Sequence, residues 1–406
     1  MLGNKQKYIF VFSSIMMNNI TFASFAYSQY IFLPILATIF FQKNLILDKI
    51  FFKILFLVSF VLIGQAIVFQ TFSLYNFGGP YIIFLTPYFV YRLVGRDYFK
   101  MYVDIIHVMA IISLIFWSLQ NISDGFTQLL VSISSKFNLD PASNESVLIY
   151  NLEHSRSSLG FIKNSGYTAE GGLYSSFLIV ALFLNYFFSP NIFNRKNAVF
   201  IITLITTSST AGYSALGVFL LMVILTHKSK VLRFVLFPII SYLIYFSIYT
   251  LPFMYEKIQK SYEDEMNVYR MENNPARKGR FLSARIDLDL IVKYPLTGKG
   301  IYASERFLNE EEKEIGYSNS YLGLVGLASR YGLVFWLFYF YYFFYFCLNL
   351  NKIAPNVFKN TGKNRGLFFI GSIVCIALGQ NPFYSFVYVI IMVCGHDVNI
   401  RKLIVR

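Results

Sequence analysis

The polar residues with chemical potential gather in two stretches of the chain, 121–171 and 251–318. The first holds Arg156, Glu170 and His154; the second holds Gly279, Arg280, Arg285 and Asp287, with Asn319 just beyond its end. A guanidinium is a planar fork of N–H donors that engages phosphate or carboxylate oxygens in pairs. Arg280 follows Gly279 where a helix is expected to begin, so backbone N–H groups at the helix start would add to it as an anion contact. Arg285 has Asp289 four residues on, the spacing of a surface ion pair. Arg156 likewise has Glu153 and Glu170 nearby, so for both arginines a binding and a structural role stand side by side. Asn319 is placed either to orient a bound hydroxyl or simply to start a span. His154, Glu170 and Asp287 are the candidate general bases.

Other chemistries are missing from the sequence. It has no Walker A motif, dinucleotide fingerprint, H-E-x-x-H or nucleophile elbow. Cys347, Cys375 and Cys394 all lie in apolar runs, which implies neither a disulfide nor a thiolate metal site. No metal and no cofactor are expected.

The elements that must position these residues are apolar. Of the 406 residues 56% are hydrophobic and 14% charged, and mean hydropathy is +0.53. That composition predicts an all-α, polytopic integral membrane protein rather than a soluble domain. Spans of roughly 20 residues are expected near 8–26, 28–42, 51–70, 80–95, 102–121, 172–189, 197–209, 212–226, 231–250, 319–349, 366–379 and 383–398. This gives about twelve transmembrane helices in a single membrane domain, 1–406, with two large loops at 121–171 and 251–318. The two short runs flanking Thr210 also read as one helix broken by a Ser-Thr-Ala-Gly stretch. Within the second loop the spacing predicts an amphipathic helix over 254–269 and another from Arg280 to about Tyr294, where Pro295 stops it.

A formal charge of +14 raises the question of nucleic acid. The basic residues form no stripe interleaved with aromatics, and nucleic acid is set aside. They cluster instead between alternate apolar runs, as at Lys5 and Lys7, Lys43 to Lys53, Arg92 to Lys100, Arg195 and Lys196, and Arg401 to Arg406. The short connections 73–79 and 380–382 have none. By the positive-inside rule both termini are cytoplasmic and the two large loops lie on the outer face. Ionisable groups inside the expected spans are scarce, Asp104 and His107 being the main examples, which argues against an ion-coupled transporter.

Four segments carry a family resemblance. RSSLGFIKNSGYTAEGGL (156–173), TTSSTAGYSALG (206–217), GRFLSARIDLDLIVKYPLTGKG (279–300) and SNSYLGLVGLASRYGLVFW (318–336) occur in the order and topology of the O-antigen polymerase and ligase superfamily, which the chain resembles over these stretches. The resemblance implies a metal- and nucleotide-independent glycosyltransferase in the bacterial cytoplasmic (inner) membrane. It would polymerise undecaprenyl-diphosphate-linked oligosaccharide repeat units into O-antigen, capsule or another surface polysaccharide. Arg280, Arg285 and Arg156 become the expected catalytic residues, with Gly279, Asn319, Glu170 and Asp287 binding substrate. Implied partners are the lipid-linked oligosaccharide, membrane lipid, a chain-length regulator and a flippase. Ligases of the group carry a histidine where this chain has Ser318, and a serine hydroxyl is no unaided base, so polymerase is favoured over ligase. A flippase or exporter of lipid-linked sugars is the reading from another class.

The orientation is testable directly. Single cysteines at Ser143 and Asn274 are expected to react with an impermeant maleimide in intact cells, and one at Asn197 not to react.

Overall fold

The computed structural model describes residues 2–17, 26–70, 74–137, 146–147, 149–154, 160–226, 238, 280–299, 322–350 and 363–404. Among them are thirteen α-helices: α1 (Asn4–Met16), α2 (Ala26–Gln42), α3 (Lys49–Phe69), α4 (Leu74–Val94), α5 (Asp97–Ile122), α6 (Asp124–Phe137), α7 (Gly171–Phe188), α8 (Arg195–Thr206), α9 (Thr210–Leu225), α10 (Arg280–Lys293), α11 (Gly323–Leu348), α12 (Lys363–Ala377) and α13 (Phe386–Ile404). A two-stranded hairpin, β1 (Ser146–Val147) and β2 (Tyr150–Asn151), pairs antiparallel with Val147 opposite Tyr150. A 3-10 turn, Pro382–Tyr384, joins α12 to α13.

The all-α expectation holds, but the count of twelve spans does not. Four helices, α3, α5, α7 and α11, are long and apolar enough to cross a membrane; α9 and stretches of α2, α12 and α13 are apolar but shorter. The reason is local. Helices end early wherever a cap or a break intervenes, and the expected span at 231–250 lies outside the described residues, as does the expected helix at 254–269. The break near Thr210 is real: Ser208 takes φ 49°, and the Ser209 hydroxyl then caps α9 by accepting from the Gly212 N–H at 3.1 Å. A short connection and the first large loop also differ from the expectation. Most of 73–79 is helical as the start of α4, and 121–171 contains α6 and the hairpin.

Burial grades across the bundle. Nearly all of α7 is enclosed, from Tyr174 to Phe187. One face of α3 is bare, exposing Phe52, Phe56, Phe60, Ile63 and Ile67. A run of large apolar side chains left uncovered along a helix is the surface that lipid covers.

One end of the bundle is tied by charge. Arg92 bridges Asp48 at 3.2 Å and Asp397 at 3.3 Å, joining α4 to the cap of α3 and to α13. Asp104 of α5 is paired with Lys196 of α8 and accepts from Tyr8 at 2.9 Å, while Lys7 bridges Asp97 at 2.5 Å. Asp104 is therefore a helix tie. Asn197, chosen from the sequence as a silent labelling site, is fully buried and bonded to Asn185 at 2.8 Å. A cysteine there would be silent in either orientation, so exposed Lys43 is the better control.

The opposite end is tied by neutral hydrogen bonds and by a break in α11. Gly332 takes φ 81° and ψ 165°, a conformation open in practice only to glycine. The break frees the Ser329 carbonyl and the Leu333 N–H, which would otherwise bond to each other. The loop after α10 takes both: Lys299 N donates to Ser329 O at 2.8 Å and Leu333 N donates to Pro295 O at 2.7 Å. From α3, Gln65 Nε2 completes the joint by donating to the carbonyls of Thr297 and Arg330, each at 2.7 Å. Gly64 leaves room for Thr297, whose methyl lies 2.7 Å from where a Cβ would stand.

Gln65→Leu keeps the volume and strands two carbonyls, at a cost of about 1–3 kcal/mol for each left unsatisfied. Gly332→Ala adds a Cβ only 2.1 Å from Leu296 O. Both are expected to lower the thermal midpoint in detergent, Gly332→Ala the more. An unchanged midpoint for either would show that the joint does not hold the fold.

Candidate functional site

The joint places α10 against α11. The face of α10 turned to α11 carries Ser283, Ile286, Asp287 and Leu290, all buried. Asp287 is 0% exposed, and its Oδ1 accepts from Ser329 Oγ at 2.7 Å. A carboxylate with no water needs such donors to remain where it is.

Arg330 follows Ser329, inside an otherwise apolar helix. Its guanidinium lies 5.2 Å from the centroid of the Tyr384 ring, a cation–π contact. Among the described residues it makes no ion pair. Tyr384 donates to Gly326 O at 3.1 Å and packs on Tyr331. Its phenol is pushed up to about 12, above all by burial, with the Asp287 carboxylate raising it and Arg330 acting against both. Beside it the Oδ1 of Asn381 is buried without a hydrogen-bond partner among the described residues. An acceptor left open in this way suits a ligand hydroxyl.

The connection between α12 and α13 carries the cluster across to the first loop. Gln380 O accepts from Gly323 N at 3.1 Å, and a Cβ on Gly172 would stand 2.1 Å from Gln380 Nε2. Glu170 caps the start of α7 there, its side chain exposed and making no capping bond. The segment leading to it is fixed from beneath. Asn164 donates to Thr206 at 3.0 Å and to Ser113 at 3.3 Å, and Trp117 donates to Ile162 O at 2.6 Å. Ser165 donates to Glu153 at 3.3 Å. Tyr167 is almost wholly enclosed, and burial raises its phenol well above the ordinary range.

Of the residues singled out from the sequence, Asp287 lies at the centre of this cluster and Glu170 at its edge. Arg285 is exposed on the flank of α10 away from Asp287. Arg280 begins α10 in the helical register of Ser283 and Asp287, and its side chain lies outside the described residues, as do Arg156, Gly279 and Asn319. Sequence reasoning missed Arg330, Ser329, Tyr384 and Asn381. Arg330 carried a signal: an arginine within an apolar span is a functional candidate by default. The other three carried none, because only the fold brings 381–384 to 329–330.

Among the described residues the arrangement is all-α, with four helices long and apolar enough to cross a membrane and, at the loop-bearing end, an Asp-Ser-Arg-Tyr cluster of which Asp287 and Ser329 are buried. No protein-family model matches the sequence, and no curated protein matches it.

A guanidinium without an ion-pair partner among the described residues is a candidate for anion binding, which can be tested. Inorganic diphosphate is expected to raise the thermal midpoint of the detergent-solubilised protein, and Arg330→Ala to abolish that shift while Arg285→Ala leaves it. Equal shifts in wild type and Arg330→Ala would place anion binding elsewhere.

Proposed function

We propose that the protein polymerises undecaprenyl-diphosphate-linked repeat units into a surface polysaccharide, on the outer face of the bacterial cytoplasmic membrane and with both termini inside. The observation that carries this reading is Arg330, a cation without an ion-pair partner among the described residues, set in an apolar helix between buried Asp287–Ser329 and Tyr384. A lipid-linked diphosphate is an anion that must be held while its bond to the sugar breaks, which calls for a fixed guanidinium. Arg280, one helix start away, is the second cation proposed for it.

The reaction balances without a cofactor. The acceptor hydroxyl attacks the anomeric carbon of the donor sugar; the new C–O bond forms as the bond to diphosphate breaks. The hydroxyl proton passes to Asp287, and the carrier diphosphate leaves on Arg330. Ser329 Oγ, 2.7 Å from Asp287 Oδ1, occupies the place an acceptor hydroxyl would take. Asn381 Oδ1 would accept from a neighbouring sugar hydroxyl. The four sequence segments that resemble the polymerase and ligase superfamily support the same chemistry, and two of them supply Asp287 and Arg330.

The test is a deletion strain scored by glycan gel. Loss of the ladder with single-repeat glycan retained is the expected outcome; loss of all transferred glycan would instead mean a ligase. On complementation, Arg330→Ala, Arg330→Lys and Asp287→Asn are expected to leave the ladder absent or strongly reduced at normal membrane levels. Arg285→Ala is expected to restore it, since an exposed surface pair is worth about 0–1 kcal/mol. A normal ladder from Arg330→Ala would overturn the assignment.

A further inference from the structure

On the face of α10 turned away from α11 large aliphatic side chains are exposed. Leu288 is 53% exposed, Val292 81%, and Leu296 in the following loop 58%. They recur every four residues, and Arg285, Asp289 and Lys293 are exposed beside them. That is the pattern of a helix lying in a membrane boundary, aliphatic on one side and charged on the other.

Depth follows from α3. Its 21 residues rise roughly 31 Å, about the thickness of a bilayer's hydrocarbon core. The ring of Tyr294 packs on Phe69, the last residue of α3, with centroids 5.0 Å apart. Thr297 O accepts from Gln65, four residues and about 6 Å further down the helix. The segment from Tyr294 to Thr297 thus enters the hydrocarbon level as re-entrant backbone. Such backbone is tolerated at this depth only where its polar groups are met by protein, which the bonds to Gln65, Ser329 and Leu333 accomplish. The bare apolar face of α3 runs to the same level, with Ile67 72% and Val68 53% exposed.

We infer that α10 and its loop are seated in the lipid boundary, with Leu288, Val292 and Leu296 against acyl chains and Arg285 and Lys293 at the headgroups. Lipid is the occupant of this face because the face continues an apolar surface of α3 and shares its depth. The inference deepens the proposed function without depending on it. On the proposed function, this seating puts Arg330, on the α11 side of α10, near the depth of a lipid-borne diphosphate.

Nitroxide labels on single cysteines at positions 285, 288, 289, 292 and 296 test this. The background is the full chain with Cys347, Cys375 and Cys394 replaced, reconstituted in vesicles of phosphatidylethanolamine and phosphatidylglycerol. Collision with oxygen should exceed collision with a water-soluble nickel chelate at Leu288→Cys, Val292→Cys and Leu296→Cys. The order should reverse at Arg285→Cys and Asp289→Cys. Chelate-dominated collision at 288 and 292 would put the face in water, and low collision with both reagents would mean that a second copy or another protein covers it; either result overturns the inference. Positions 288 and 292 decide the matter alone if a label at 296 disturbs the loop. No glycan substrate is involved, so failure of the polymerase reading would leave this result standing.

Discussion

The loop-bearing half of the molecule depends on one exchange of backbone hydrogen bonds. Ser329 and Leu333 stand four apart in α11, as do Pro295 and Lys299 in the loop after α10. Each pair is spaced to close a helical bond with itself. Because Gly332 turns the backbone aside, each instead bonds to the other, and the two segments are cross-joined. In an apolar medium an unmet backbone group costs several kcal/mol, so neither segment can leave unless the other heals. The side chain of Gln65 holds the joint to α3.

The position of the cluster follows from that joint. With Lys299 anchored to Ser329 O, the inner face of α10 meets α11, and Asp287 reaches the Ser329 hydroxyl. The next residue, Arg330, has its carbonyl fixed by Gln65 and its guanidinium over Tyr384. A long, flexible cation is thereby held on a rigid helix rather than on a loop. A site that must stabilise charge developing elsewhere gains from such fixed geometry, because little reorganisation remains to be done during reaction.

The two ends of the bundle solve different problems. At the basic end Arg92 lies between two carboxylates and Asp104 is paired with Lys196, so charge is neutralised locally and the groups serve as ties. At the loop-bearing end the ties are hydrogen bonds between amides and hydroxyls, as in Asn164 with Thr206 and Ser113, or between a hydroxyl and a carboxylate, as in Ser329 with Asp287. Among the described residues no carboxylate pairs with Arg330, in contrast to Arg92 at the other end.

The sequence alone determined the apolar character of the chain, since 56% hydrophobic residues exceed what a soluble core absorbs, and its long apolar runs made helices the expectation. It also determined α10 almost to the residue, because Pro295 stops it, and the break before α9, because Ser-Thr-Ala-Gly caps one helix and ends another. Asp287 was legible as a carboxylate on a helix, and Glu170 as a polar residue before a span. The sequence could not show that Asp287 faces Ser329, or that 380–384 folds back over Arg330, because those contacts join residues 42 and more positions apart. Nor could it show how many apolar runs are long enough to cross a membrane, since caps and breaks shorten helices where hydropathy does not change. Arg330 marks the boundary between the two. Its type and place in an apolar run were in plain view, but only the tertiary structure showed it stacked on a tyrosine and without an ion-pair partner among the described residues, because pairing depends on neighbours that sequence distance does not reveal.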